Sequence, residues 1–191
     1  MSAIIINRIL IGLLFTTFLL FAGHQLCAQS SSAEVTLNIR FMPVQTISVN
    51  SSDETIDLLY ADTENYENGV SVTRDNHLTV FSSSGFQVTV QTAADQFIRS
   101  GGKETIPTND IIVRAENGSS NKLPALFTNV PLSASPTPLI SATQGGNNLA
   151  FTVTYDNSEA GSGEKYINRY VRSGQPEVVY TTTVIYCITT R

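Results

Sequence analysis

The sequence has 191 residues, of which 11 are basic and 16 are acidic, so its net charge is −5 at pH 7. The three lysines, Lys103, Lys122 and Lys165, are scattered along the chain. Binding to nucleic acid requires clustered positive charge, so this composition argues against nucleic acid as a partner and also against anionic membrane surfaces.

Residues 1–28 have the features of a signal peptide. Arg8 precedes an uncharged run of 13 residues, "ILIGLLFTTFLLF". A spanning helix needs roughly 20 apolar residues, so this run is too short for a stable transmembrane anchor. We expect cleavage after Ala28 and export to the periplasm, the outer surface or the extracellular space. Lipid attachment at Cys27 and an uncleaved anchor are the alternatives, and the large Leu26 disfavours the first.

Cleavage would leave 163 residues, which is enough for one domain, 29–191, with its own core. The loss of Arg8 would shift the net charge to −6. Cys187 would be the only remaining cysteine, so the mature chain cannot close an internal disulfide bond. We expect Cys187 to be a half-buried apolar side chain, with pairing to another chain as the alternative.

The first predicted strand, residues 35–41, shows the pattern that recurs along the chain. Its apolar side chains alternate with polar ones, and this period of two is typical of a strand with one buried face. Residues 85–92 and 148–155 repeat the alternation. The remaining predicted strands are short and rich in β-branched and aromatic residues, and they cover residues 44–49, 56–60, 70–73, 77–81 and 111–115.

Many short strands of this kind predict an all-β fold, an antiparallel β-sandwich that is immunoglobulin-like in the broad sense. Two stretches interrupt the pattern. Residues 123–148 contain four prolines, which cannot donate to a sheet ladder, and this predicts a long connection or an edge segment. Residues 156–166 form a polar loop, and residues 164–171 are the best place for a single turn of helix.

The sequence lacks the residues that common catalytic and metal sites require. His77 is the one histidine after the leader, and no G-x-S-x-G motif is present, so we expect His77 to lie in a turn or at the surface. One cysteine and one histidine cannot form a zinc cluster. The acidic residues 57–67 lack the order of a calcium loop and predict a solvated turn. We therefore predict no enzyme activity, no cofactor and no metal, with a hydrolase that uses an acidic pair as a distant alternative.

Binding of a glycan or another ligand is a further alternative. Tyr60, Tyr66, Tyr166 and Tyr170 fall in or near predicted loops, where their rings could stack against sugars. The chain has no tryptophan, and tyrosines at the borders of strands more often serve packing. The choice between a sugar platform and simple packing is open at this point.

The chain ends on a long β-forming stretch, residues 177–190. Val178, Tyr180 and the even-numbered residues after them share one face, which we expect to be the core face because it carries both tyrosines. The 14 residues would span roughly 46 Å at about 3.3 Å per residue, well beyond a typical strand. Such a strand must bend, cross between sheets or project beyond its neighbours.

Two strongly β-forming ends on one exported chain suggest assembly, because free strand edges recruit partners. The partner would be another surface subunit or a second copy of this chain. The alternative is that both terminal strands complete the domain's own sandwich. The candidate assembly residues are Val35, Leu37, Ile39, Phe41, Val178, Tyr180, Val184, Tyr186 and Ile188.

The stretch "NHLTVFSSSGFQVTVQT", followed much later by "YTTTVIYCIT", resembles exported bacterial β-sandwich surface proteins. These include fimbrial-type subunits, spore-coat-U-like proteins and WxL-like domains, and the leader ending in "AQ" is similar to those of Bacteroidetes exports. The chain departs from WxL domains by having no tryptophan, and it lacks the paired cysteines of many fimbrial subunits. The resemblance implies a structural or adhesive role at the cell surface and carries over no binding residues.

Overall fold

The computed structural model describes residues 31–171, 173–175 and 177–191, and the predicted signal peptide lies outside them. The chain divides into two compact units, Met1–Arg40 and Phe41–Arg191. In the first unit, residues 31–40 are exposed and have no regular secondary structure. The structure thus differs from the strand predicted at 35–41. A strand needs a hydrogen-bonded neighbour, and no ladder within the described chain includes these residues.

In the second unit, strands dominate. They are β1 (Gln45–Val49), β2 (Ser71–Ser82), β3 (Phe86–Thr92), β4 (Gln96–Ile98), β5 (Thr105–Pro107), β6 (Ile112–Asn117), β7 (Ala125–Phe127), β8 (Val130–Pro131), β9 (Thr137–Ala142), β10 (Gly146–Asp156) and β11 (Val184–Thr190). One sheet has the order β1-β2-β10-β6-β8, and a second has the order β11-β3-β9-β7. Strands β4 and β5 form a separate hairpin. The pairs are antiparallel, which confirms the predicted all-β class.

The two large sheets share one hydrophobic core. Both contribute buried side chains to a single cluster, in which Phe86 of β3 meets Phe151 of β10. Along β3 the burial alternates strictly, because every second side chain points away from the core. This arrangement is sandwich-like, as the alternation in the sequence predicted.

Strand β2 replaces two strands that were predicted separately. The polar residues between them indicated a turn, but the chain continues as one strand through an irregularity in its pairing with β10. Arg74 lies opposite Val153 and Leu78 lies opposite Phe151, so β2 carries two more residues than its partner in this interval. Asn76 adopts a left-handed conformation with a φ of 53°. The polar stretch is therefore a bulge rather than a turn.

The proline-rich residues 123–148 were predicted as a long connection or edge segment. The first interpretation is wrong, because the stretch contains β7, β8, β9 and the start of β10. The second is confirmed in part, since β7 and β8 are edge strands of the two sheets. Pro138 of β9 lies beside a register irregularity opposite β3, where a missing N–H donor is tolerated.

Two further predictions were wrong. Residues 56–60 do not join a ladder, although Ile56 and Leu58 still pack against the core. Residues 164–171 form turns with i to i+3 hydrogen bonds instead of a helix. The one α-helix of the described chain, α1 (Thr63–Asn68), was not predicted, because six residues are too few to show a helical period. No helix in the described part of the chain is long and apolar enough to span a membrane.

Candidate functional site

The C-terminal stretch is extended, but only its second half is a strand. β11 pairs with β3 from Val184 opposite Thr92 to Thr190 opposite Phe86. Before it, Thr181 forms an isolated bridge with Ile98. The predicted 14-residue strand is therefore shortened to seven residues and one bridge. No neighbour in the described chain provides a continuous ladder for the first half.

The two faces of this stretch are as predicted. Val184, Tyr186 and Ile188 are half-buried against the core, and Val178 and Tyr180 are half-buried before them. The odd face is wetter, and there Cys187 is a free, exposed thiol. The expectation of a half-buried Cys187 was wrong, because its side chain points away from the core on a strand at the sheet edge.

β11 is an edge strand, and within the described chain only β3 forms a ladder with it. β1 is the edge strand of the other sheet on the same side, and it lies against β11 without a ladder between them. One row of backbone groups along β11 therefore pairs with no strand of the described chain. Open edges of this kind pair with other chains unless they are blocked.

The N-terminal candidate residues are all at the surface. Val35, Leu37, Ile39 and Phe41 are 90%, 86%, 75% and 91% exposed. They alternate with polar residues, so an extended backbone would present all four on one side. Monomeric soluble proteins seldom expose such a row of large apolar side chains without an interaction that uses it.

A buried chain of polar side chains links the two sheets behind β11. His77 Nε2 lies 3.0 Å from the hydroxyl of Tyr155 on β10, which lies 2.6 Å from the hydroxyl of Tyr186 on β11. On the other side of the ring, His77 Nδ1 lies 3.7 Å from Asp53 Oδ2 and has no hydrogen-bond partner among the described residues. Asp53 lies in the 3₁₀ turn Ser51–Asp53 and also faces Arg74, with 3.6 Å between Arg74 Nε and Asp53 Oδ1.

His77 is only 2% exposed, so the expectation of a turn or surface histidine was wrong. The bulge of β2 keeps the chain in the sheet at this point and directs the ring inward. Burial lowers the pKa of His77, and the nearby Asp53 carboxylate opposes this without reversing it. Burial also raises the pKa of Tyr155 to about 12 and that of Tyr186 well above 10. The histidine is thus neutral at pH 7 and both phenols keep their protons.

The four tyrosines that were singled out as a possible sugar platform do come together. The ring centroid of Tyr60 lies 5.2 Å from that of Tyr66 and 5.4 Å from that of Tyr166. The ring centroids of Tyr166 and Tyr170 are 5.0 Å apart. A fifth ring, Tyr180, lies 5.5 Å from Tyr170. Tyr166 and Tyr170 are buried, so most of the cluster serves packing rather than presenting flat faces.

Polar groups fix the base of this cluster. The Tyr166 hydroxyl donates to Asp110 Oδ2 over 2.7 Å, and the buried Asn157 donates to the Tyr166 hydroxyl over 3.1 Å. Asn157 also accepts a hydrogen bond from Tyr60. Burial raises the pKa of Tyr60 to about 12, so its hydroxyl remains a donor at neutral pH.

Beside the cluster lies a shallow groove of about 480 Å³. α1 forms one wall and residues 164–171 form the other, and backbone hydrogen bonds from Gly163 to Glu67 and from Glu164 to Tyr66 hold the walls together. Of the clustered tyrosines, Tyr66 alone lines the groove. Its other lining residues are Ala61, Asp62, Thr63, Glu67, Glu164, Ile167, Asn168 and Val171.

Metal-ligating side chains do not converge in the described chain. Within residues 31–191, apart from positions 172 and 176, no group of three or more His, Cys, Asp or Glu residues is placed to hold an ion. Comparison with protein-family models gave no match to this chain, and comparison with curated proteins gave no match either.

Proposed function

We propose that the mature chain is a non-catalytic structural subunit at the surface of a bacterial cell, and that copies of it join by terminal-strand exchange. The subunit would be exported and immunoglobulin-like in the broad sense of two layered antiparallel sheets. One observation carries the proposal: Val35, Leu37, Ile39 and Phe41 form an alternating apolar row that is at least 75% exposed in the single chain. A second copy would bury that row and complete a ladder with it.

The acceptor we propose is the outer edge of β11. Its inner side chains, Val184, Tyr186 and Ile188, are only half-buried, so an added strand has apolar surface to cover. Each apolar side chain of the donor contributes roughly 1.5–3 kcal/mol if it becomes fully buried. The new ladder also gives hydrogen-bond partners to backbone groups of β11 that pair with no strand in the described chain.

The geometry of strand addition fixes which side chains meet. If the odd residues of the donor turn towards the core, its even residues lie on the outer face. Cys187 lies on that outer face of β11. Asn38 of the donor therefore lies on the same face as Cys187 of the acceptor, whereas Leu37 lies on the opposite one.

The first experiment tests assembly itself. The mature protein and a variant that lacks residues 29–41 are compared by size-exclusion chromatography and electron microscopy at high concentration over long incubation. The proposal expects oligomers or fibres from the mature protein and monomers from the truncated one. Monomers from both proteins would contradict it.

The second experiment tests the acceptor edge by disulfide trapping. Thr36→Cys, Asn38→Cys and Arg40→Cys are each oxidised under mild conditions with Cys187 as the natural partner thiol. Suitable pairs on neighbouring strands bring Cβ atoms to about 4 Å, so at least one variant should form covalent multimers. Leu37→Cys is the matched control and should not, and Cys187→Ser should abolish the product. Assembly without any of these disulfides would mean that the donor strand pairs with an edge other than β11.

A second candidate function is binding of a glycan or another ligand, and the groove beside α1 favours it. Tyr66 offers a ring there, and Asp62, Glu67, Glu164 and Asn168 offer acceptors for hydroxyl groups. The test is a glycan array with the wild type and Tyr66→Ala, with Tyr170→Phe as a control outside the groove. A signal that Tyr66→Ala removes would support this function, and breakdown of the bound glycan would indicate the hydrolase alternative.

A further inference from the structure

We propose that His77, Tyr155 and Tyr186 form a pH-sensitive latch that holds β11 against the opposite sheet. The three side chains come from β2, β10 and β11, so they connect strands of both sheets. Tyr186 is the only residue of β11 in the side-chain hydrogen bonds of the described chain, through the 2.6 Å contact with Tyr155. The latch is thus the polar link between β11 and the layer opposite.

The direction of the hydrogen bonds follows from the surroundings of His77. Its Nδ1 faces the Asp53 carboxylate at 3.7 Å, and a ring nitrogen that faces an anion is favoured in its N–H form. Nε2 of the neutral ring is then an acceptor, so the Tyr155 hydroxyl donates to it over 3.0 Å. The oxygen of Tyr155 in turn accepts a hydrogen bond from the Tyr186 hydroxyl. In the neutral state each hydroxyl of the latch has an acceptor.

Protonation of His77 reverses the direction of its hydrogen bond with Tyr155. Both ring nitrogens of the imidazolium are donors, so Nε2–H donates to Tyr155. The contact between Tyr155 and Tyr186 holds only one hydrogen, so one of the two hydroxyls is then without an acceptor in the latch. That hydroxyl is the one on Tyr186 if Tyr155 donates to it, and the one on Tyr155 if Tyr186 still donates, because the structure gives neither hydroxyl a further partner. A hydroxyl hydrogen without a partner in this partly buried position is costly, and outward movement of β11 would let water accept that hydrogen.

The charged and titratable groups around His77 come from four elements. Asp53 in the 3₁₀ turn favours the imidazolium, and Arg74 on β2 opposes it. Tyr155 on β10 and Tyr186 on β11 are neutral phenols throughout the pH range considered. Their rings approach the imidazole edge-on, with centroids 5.7 Å and 6.1 Å away. Protonation therefore changes the hydrogen bonds of the latch without a second ionisation.

The consequence for assembly rests on the proposed function. β11 is the proposed acceptor edge, so a latch that loosens in mild acid would make that edge more mobile. Exchange of the donor strand would then be faster at low pH than at neutral pH. The latch itself is a property of the single chain and does not depend on assembly.

The experiment measures hydrogen exchange of the single chain between pH 7.5 and pH 5, corrected for the intrinsic pH dependence of exchange, while NMR follows the His77 ring. The protein lacks residues 29–41 or is kept dilute, so that it stays monomeric. As His77 titrates, the protection of the β11 amides should fall about tenfold or more, because one buried donor loses its acceptor. Protection of β6 and β10 should stay constant.

Three variants distinguish the latch from an overall loss of stability of the fold in acid. His77→Gln removes the ring that titrates, so its β11 protection should no longer depend on pH in this range. Tyr180→Phe is a control outside the latch, because the Tyr180 hydroxyl has no hydrogen-bond partner in the described chain, and it should respond as the wild type does. Asp53→Asn removes the carboxylate that raises the His77 pKa, so the response should move to lower pH.

Several results would overturn the latch. They are constant β11 protection while His77 titrates, an equal loss of protection in all strands, a wild-type response in His77→Gln, and a His77 ring that stays neutral until the chain unfolds. These readouts need no assembly. A latch that works in a chain that never forms oligomers would leave this inference standing and contradict the proposed function alone.

Discussion

The rings of Phe86 and Phe151 meet edge-on in the core, with their centroids 6.3 Å apart. Phe86 belongs to the sheet of β11 and Phe151 to the sheet of β1, so the contact joins the two layers. Both side chains are fully buried. Replacement of a buried phenylalanine by alanine removes the burial and leaves a cavity.

Phe151→Ala should therefore lower the free energy of unfolding by about 3–5 kcal/mol, measured by urea denaturation. Phe81→Ala on β2 is the control, because Phe81 is 36% exposed, and it should cost much less. Equal losses from both variants would mean that the contact between the sheets does not carry the stability assigned to it.

His77 should make the folded chain sensitive to mild acid. Burial lowers its folded pKa below the unfolded value of about 6.5, so the unfolded state binds a proton first as the pH falls. The contribution of neutral His77 to the free energy of unfolding is fully present above about pH 6.5. It is lost as the pH falls towards the pKa of His77 in the folded state. Thermal unfolding between pH 7.5 and pH 5 should show a decline in the wild type that is absent from His77→Gln. A steeper decline in the variant would contradict the sign.

Asp156 should stabilise the fold as an ion. Burial raises the pKa of this carboxyl, but hydrogen bonds from Ser158 and the ion pair with Arg114 outweigh burial and lower it. The stabilisation is present above the unfolded pKa of about 3.9 and is lost as the pH falls through the lower folded value.

Asp156→Asn should cost about 1–3 kcal/mol at pH 7 and less at a pH below the unfolded pKa of about 3.9, measured by urea unfolding at both pH values. Asp57→Asn changes an exposed carboxylate and is the matched control, with an expected effect near zero at pH 7. An Asp156→Asn cost that is the same at both pH values would show that charge is not the reason.

Gly69 ends α1 in a conformation that favours glycine, with a φ of 74°. A Cβ atom there would lie 2.5 Å from the Ser158 Cα and 2.9 Å from the Asn157 oxygen. Gly69→Ala should therefore combine a backbone clash with conformational strain. We expect it to lower the free energy of unfolding by more than about 2 kcal/mol.

Gly101→Ala provides the comparison for Gly69. Gly101 has a similar φ of 69°, but beyond its chain neighbours no atom of the described residues lies within 4 Å of its Cβ position. Gly101→Ala should lower the free energy of unfolding only by the strain of a left-handed alanine, about 1–2 kcal/mol. Equal melting temperatures for the two variants would mean that the loop around Ser158 moves aside freely.

The sequence predicts the sheet layers better than it predicts the connections. Alternation identified β3, which buries one face along its whole length, and also β10, although Ala150 and Thr152 on the other face of β10 are buried as well. It could not show that residues 56–60 would pack without a ladder, since alternation reports the faces of a strand and not its partners. It also indicated a strand at 35–41, where the apolar pattern is present but a pairing strand within the described chain is not.

The latch could not be predicted for a different reason. The polar residues around Asn76 are typical of a turn, and the same residues also suit a bulge. The choice between the two depends on pairing with β10, which is distant in sequence. Tyr155 and Tyr186 were each placed on the inner face of a strand, but their contact depends on how the two sheets are layered.

The bulge in β2 constrains how this sequence can change by insertion and deletion. Because β2 carries two additional residues opposite β10, the same parity points inward on both sides: Val72 before the bulge, and Leu78 and Val80 after it. Deletion of one residue here would exchange the inner and outer faces of half of the strand, whereas deletion of two residues would keep the same side chains facing the core. Length variants of this segment in related genes should therefore differ by even numbers of residues.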